Sequence, residues 1–132
     1  MLNPTAAYTV NTTTSQVFNT WLALLVNFHH LTDKEIDVAA LFLKTYFKNQ
    51  KSIINDDVLN DVTLSLENKR KIREELKLTP TYFQIIIKAL KDKGFITNGK
   101  INPLYIPTFT ESGNIVLAFI VKIAGNDNSE LS

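Results

Sequence analysis

Few residues of this chain could carry out chemistry, judged by their type and spacing. The adjacent pair His29-His30 and the carboxylates of Asp56, Asp57 and Asp61 are the candidate metal ligands. Neighbouring histidines point in different directions, so we interpret them as helix-terminus residues. The aspartates lack the glycine bend and closing glutamate of a calcium-binding loop, which favours a cap and a solvated face. The sequence offers no set of nucleophile, base and orienting residue for a catalytic site, and the chain has no cysteine. We predict no enzymatic activity, metal or cofactor.

Positive charge is concentrated in one part of a nearly neutral chain. The 132 residues carry a net charge of +1. Residues 67–100 hold nine Lys and Arg against four Asp and Glu, a net charge of +5, while residues 1–66 and 101–132 each carry a net charge of −2. Contacts to phosphate require such a local excess. The alternative is that these lysines only solvate helix surfaces.

The sequence before this basic segment predicts two helices. Apolar residues at spacings of three and four predict a first helix from residue 14 or 15 to Phe28. Thr32 and Glu35 have the spacing of a capping box, in which each side chain satisfies the other residue's free backbone amide. They predict the start of a second helix that ends near Asn49.

The middle of the chain predicts shorter helices. Residues 51–64 remain ambiguous, with Asp56 or Asp57 as a plausible cap of a short helix. Ser65 can cap the next helix, and a link of only three residues, 77–79, separates it from the one that follows. Two short helices joined by so tight a turn are typical of a helix-turn-helix.

A helix and a hairpin complete this pattern. Pro80 suits the first turn of a helix, and Gly94 suits the residue just after its end. Asn98-Gly99 favours the positive backbone angles of a type I′ turn, so strands are expected at 95–97 and 100–102.

Residues 31–102 together resemble a winged helix-turn-helix. The resemblance is carried by LTDKEIDVAALFL, by NKRKIREELKLTPTYFQIIIKALKDKGFI as the helix-turn-helix and by TNGKI as the wing. The stretch KIREELKLTPTYFQIIIKALKDKGFI, followed by KINPLYIPTF, is similar to small winged-helix proteins of crAss-like tailed bacteriophages that infect Bacteroidetes. The resemblance implies a phage protein that occurs in the virion, with the cytoplasm of the producing bacterial cell as its other location.

The helix predicted at 80–93 offers two kinds of surface. Phe83, Ile86, Ile87 and Leu90 share one face and are predicted to be buried. The opposite face has Ile85 near its centre, which suggests protein contact as readily as base readout. The residues that could contact DNA are Lys69, Arg70, Thr79, Thr81, Tyr82, Gln84 and Lys88.

The C-terminal part of the chain predicts two further strands. These are residues 104–109 and 115–123, joined by a turn at 110–114 that contains Gly113. Residues 115–123 are apolar on both faces of such a strand. One face therefore needs a partner, unless the strand lies centrally within its own fold. We predict a protein interface at Val116, Ala118 and Ile120, together with Ile85.

These observations predict an α+β, mainly α fold: a winged helix-turn-helix with the helices first, C-terminal β-hairpins and an extended N-terminal arm. The expected divisions are an arm at 1–14, a single domain at 15–124 and a polar tail at 125–132. No apolar stretch reaches the length of a membrane span, so we expect no membrane partner.

We predict a non-enzymatic module in an oligomeric virion assembly, such as a head, connector or tail ring, bound to its own copies and other virion proteins. The alternative is a sequence-specific DNA-binding transcriptional regulator. Weak binding to double-stranded DNA is compatible with either function.

Overall fold

The computed structural model of the chain describes residues 7–124. It divides into a helical unit, residues 10–107, and a second unit, of which residues 7–9 and 108–124 are described. Residues 1–6 of the predicted arm and the predicted tail at 125–132 lie outside the described residues.

The helical unit begins with an interrupted helix. Helix α1 covers Val17–Leu24 and a single turn, α2, covers Val26–His29. The sequence predicted one continuous helix here. The break coincides with a contact across seven residues: a ring nitrogen of buried His29 lies 2.6 Å from the Leu22 carbonyl oxygen. That oxygen accepts the Leu25 N–H at 3.1 Å instead of the amide four residues later.

Helix α3, Asp33–Gln50, is the central element of the helical unit. Its predicted capping box is confirmed, since Glu35 N–H donates to Thr32 Oγ1 and Thr32 N–H donates to Glu35 Oε1. The helix packs against α1 and against the three helices that follow it. Val38, Phe42 and Leu43 are completely buried along it and form the middle of the core.

Three shorter helices follow: α4 covers Asp56–Thr63, α5 covers Leu66–Glu75 and α6 covers Pro80–Asp92. The helix that could not be assigned at 51–64 is α4, and its cap is Asn55, whose side chain accepts the Val58 N–H at 3.1 Å. Asn55 takes this place because its backbone is extended, whereas Asp56 and Asp57 are already helical.

The predicted cap of α5 and the predicted start of α6 at Pro80 are confirmed. Ser65 accepts the Asn68 N–H, and Thr79 accepts the Tyr82 N–H ahead of Pro80 in the first turn. The face of α6 that was predicted to be buried is buried, and consists of Phe83, Ile86, Ile87 and Leu90.

A small antiparallel sheet closes the helical unit. Strand β1, Ile96–Thr97, pairs with β2, Lys100–Ile101, in the register Ile96 opposite Ile101. Asn98 and Gly99 both have positive φ, at 53° and 73°, as the predicted type I′ turn requires. Within residues 7–124 the fold is therefore mainly helical with one two-stranded sheet, as predicted at that level.

The second predicted hairpin is wrong. Pro103–Tyr105 forms a 3₁₀ turn where a strand was expected, and residues 115–123 form no regular strand. A single bridge joins Phe109 to Ile115 around the turn at 110–114. Pro103 and Pro107 bring no backbone N–H to a ladder, and an apolar alternation cannot become a strand without a neighbour to pair with.

One tertiary hydrogen bond fixes the end of the helical unit. The indole N–H of Trp21, on α1, donates to the Tyr105 carbonyl oxygen at 2.9 Å. Tyr105 also packs edge-on against His29, with ring centroids 5.7 Å apart. In the described part of the chain no helix combines the length and apolar character that crossing a bilayer demands.

Candidate interaction surfaces

Helices α5 and α6 and the turn between them form the first surface. The turn passes through Lys77, whose φ is 55°. It is held by Leu78, whose N–H donates to the Arg73 carbonyl at 3.0 Å and whose carbonyl accepts from the Arg73 guanidinium at 3.4 Å. The side chain of Arg73 is thereby kept on the side of α5 that faces the start of α6.

A groove of about 170 Å³ lies between these helices. We name it the α5–α6 groove, and its lining combines positive and polar groups with apolar carbon: Leu66, Lys69, Arg70, Arg73, Pro80, Phe83 and Gln84. Three of the predicted contact residues, Lys69, Arg70 and Gln84, thus come together. Sequence reasoning missed Arg73, although its spacing of four from Lys69 places both on one face of α5.

Ion pairs neutralise part of the basic segment. Five of its nine cations are paired with carboxylates: Arg70 with Glu74, Lys71 with Glu67, Lys88 with Asp92, Lys93 with Glu35, and Lys100 with Asp56 and Asp57. Within residues 7–124 the other four, Lys69, Arg73, Lys77 and Lys91, make no ion pair. The positive charge that is free to bind a partner is therefore confined to fewer residues than the sequence suggests.

Two of these unpaired cations influence each other. Burial lowers the pKa of Lys69, and the positive charge of nearby Lys91 lowers it further. Two ammonium groups held this close repel each other. An anion bound between them would relieve that repulsion.

The outward face of α6 is separate from the groove lining. Thr81, Tyr82, Ile85 and Lys88 are all exposed on it, and Ile85 is 60% exposed. Lys88 Nζ lies 2.7 Å from Asp92 Oδ2, so its charge is matched on the same helix. Thr79 already uses its hydroxyl oxygen as the cap of α6, which removes it as a free acceptor.

The second surface lies at residues 115–123, which we name the apolar segment. Val116 is 70% and Ile120 66% exposed, and Ala118 between them is exposed as well. Ile115 and Leu117 are half-buried, whereas Val116 and Ala118, which alternate with them, are exposed. The residues predicted as an interface are exposed, but on an irregular extended chain.

A third surface was not predicted. Exposed apolar residues recur every fourth position from the link before α4 to the start of α5, and we name them the apolar row: Ile54, Val58, Val62 and Leu66. Ile54 is fully exposed and Leu66 84% exposed. The spacing of four was the available signal, which the uncertain assignment of residues 51–64 concealed. Leu66 also lines the α5–α6 groove, so the row ends where the groove begins.

The histidines form no ligand pair. His29 is buried, with Nε2 against the Leu22 carbonyl and Nδ1 accepting the Leu31 N–H at 2.8 Å. Both ring nitrogens are therefore occupied. His30 is exposed at the end of α2, where its carbonyl accepts from Lys93.

Comparisons with known proteins add no relative to this description. No family model matches the chain, and neither a curated protein nor a solved structure matches it. Function must therefore be argued from the surfaces themselves.

Proposed function

We propose that this protein is a non-enzymatic structural module that joins copies of itself and other proteins into an oligomeric assembly. The observation that carries the proposal is the exposure of the apolar segment. Burial of apolar surface is worth about 25 cal/mol per Å², so an exposed run of Val, Ile and Phe side chains favours association. The apolar row and Ile85 give the helical unit further exposed apolar side chains.

The proposed assembly is a ring of a phage virion, in the head, the connector or the tail. The resemblance of residues 71–96 and 100–109 to small winged-helix proteins of crAss-like phages supports this setting. The order of elements is compatible with it: α3, then α5 and α6 as the helix-turn-helix, then the β1–β2 hairpin as the wing. Closed rings are built from surfaces that join neighbouring copies head to tail.

The test is the mass of the purified protein in solution and its presence in particles. We expect Ile120→Lys, or deletion of residues 1–13, to leave the protein folded and to abolish association. Leu104→Lys is the matched control, because Leu104 is as exposed as Ile120 but lies outside the proposed interface. A wild-type protein that stays monomeric at high concentration and is absent from virions would contradict the proposal.

Sequence-specific binding of DNA by a transcriptional regulator is the second candidate function. The unpaired cations on α5 and α6 favour it, while the exposed Ile85 and the Lys88–Asp92 pair oppose it. We expect weak, salt-sensitive binding without sequence preference, lost in the triple variant Lys69→Glu, Arg70→Glu and Lys88→Glu. Selection from random duplexes decides: a sharp consensus weakened by substitutions at Thr81, Tyr82 or Gln84 would establish a regulator.

A further inference from the structure

The lining of the α5–α6 groove indicates the chemistry of its ligand. Among residues 7–124, Lys69 and Arg73 have no carboxylate partner for their positive charge, and Lys91 is near enough to lower the pKa of Lys69. Leu66, Pro80 and Phe83 line the same groove with apolar carbon. A nucleic-acid backbone has only the carbons of its sugars to place against them, whereas an acidic peptide brings both carboxylates and whole apolar side chains.

The chain itself contains a segment of this kind. Residues 125–132, which we name the acidic tail, carry Asp127 and Glu130 and no Lys or Arg. They directly follow the apolar segment. Along the chain the order is thus apolar residues first and carboxylates second.

The surface of the helical unit has the complementary order. The apolar row leads through Leu66 into the α5–α6 groove with its cations. Val58 and Val62 of the row lie about 6 Å apart along α4, while Ile54 precedes that helix and Leu66 begins α5. The nine residues of the apolar segment reach about 30 Å when extended, so they can cover the row before the tail enters the groove.

We propose that the apolar segment and acidic tail of one copy dock on the apolar row and α5–α6 groove of a second copy. The inference rests on the proposed function, because it names the partner and the surfaces of that assembly. Such an interface is head to tail, since the donated segment and the receiving groove are different parts of the chain. It leaves each copy with one free donor and one free acceptor, and it closes when a ring is complete.

Charge reversal in the full-length protein tests the pairing. The groove variant is Lys69→Glu with Arg73→Glu, and the tail variant is Asp127→Lys with Glu130→Lys. We expect each to dissociate at concentrations at least about tenfold higher than the wild type, as measured by sedimentation, because like charges then meet. Mixing the two variants should restore association, since every contact between unlike copies again joins opposite charges. Lys44→Glu with Lys48→Glu is the matched control, an equal charge change at two exposed positions on α3.

Each outcome decides between the two levels of the proposal. If the groove variant associates as strongly as the wild type, the docking is overturned but the assembly function still stands. A wild type that never associates would overturn both. A third outcome is that association returns in a single chain carrying all four substitutions but not when the groove variant and the tail variant are mixed. That outcome would place the tail on the groove of its own copy and overturn docking between copies. Loss of duplex DNA binding in the groove variant, with association unchanged, would assign the groove to nucleic acid.

Discussion

At the residue scale, His29 fits the fold in one protonation state. Its Nδ1 accepts the Leu31 N–H, so a proton on that nitrogen would turn an acceptor into a second donor facing a donor. Burial is the main cause that lowers the pKa of His29, and the positive charges of His30 and Lys93 lower it further, against the opposing effect of the Leu22 carbonyl. The neutral ring is therefore part of the packing that joins α1, α2 and Tyr105.

This arrangement predicts acid sensitivity. As the pH falls below about 6.5, His29 becomes protonated in the unfolded chain but stays neutral in the folded protein, because its pKa is lower there. The free energy of unfolding therefore decreases by up to about 1.4 kcal/mol per pH unit. Above that pH, His29 makes no contribution to the pH dependence of the free energy of unfolding. Urea denaturation between pH 5 and 8 measures the effect, and His29→Gln should have a flatter profile whatever its absolute stability. His30→Asn is the control, because His30 is exposed, and an unchanged slope in His29→Gln would contradict the prediction.

Asn60 is a second buried polar residue, and its side chain joins α4 to strand β2. Its side-chain oxygen accepts the Ile101 N–H at 2.9 Å and its amide donates to the Asp56 carbonyl at 3.0 Å. We expect Asn60→Ala to cost about 1–3 kcal/mol, because the buried Ile101 amide loses its acceptor. Thermal denaturation measures this loss. Asn27→Ala, at an exposed position, should be nearly neutral, and equal effects of the two substitutions would contradict this role.

At the element scale, the boundaries that could be predicted are those encoded by neighbouring residues. Thr32 with Glu35, Thr79 with Pro80 and Asn98 with Gly99 each satisfy their own local backbone. The break between α1 and α2 could not be predicted, because the contact that accompanies it reaches back seven residues. The strand at 115–123 was wrong for a related reason, since alternation specifies faces but not a pairing partner.

The β1–β2 turn gives the prediction at this scale. Gly99 has φ of 73° with nothing near its missing Cβ, so Gly99→Ala suffers only the backbone strain of the left-handed region, about 1–2 kcal/mol. Asn98→Gly should be neutral or stabilising at φ of 53°. Chemical denaturation compares the two variants. Equal stability of Gly99→Ala and the wild type would show that the turn readily adopts another form.

At the scale of the whole molecule, the candidate surfaces could be predicted only in part. Positive charge at Lys69 and Arg70 and exposure at Ile85 and Ile120 follow from composition and periodicity. The meeting of Arg73 with Pro80 and Phe83 in one groove depends on how α5 crosses α6, which no local pattern encodes.

The division into two units predicts the effect of truncation. Every buried apolar side chain of the described residues lies within 10–107. Ending the chain after Pro107 should therefore change the free energy of unfolding by only about 0.5 kcal/mol, the range of changes remote from buried contacts. Self-association should disappear at the same time. A large loss of stability on truncation would show that residues 108–132 contribute to the core.

The hydrogen bond from Trp21 to the Tyr105 carbonyl has an optical consequence. Trp21 is the one tryptophan of the chain and is buried, so the tryptophan fluorescence of the protein comes from a single indole that is largely shielded from water. Its emission should lie toward the blue and move to the red when the Pro103–Tyr105 turn separates from α1. Because acidification of His29 and loss of the turn both act on this corner, the colour of the emission reports its opening without any label.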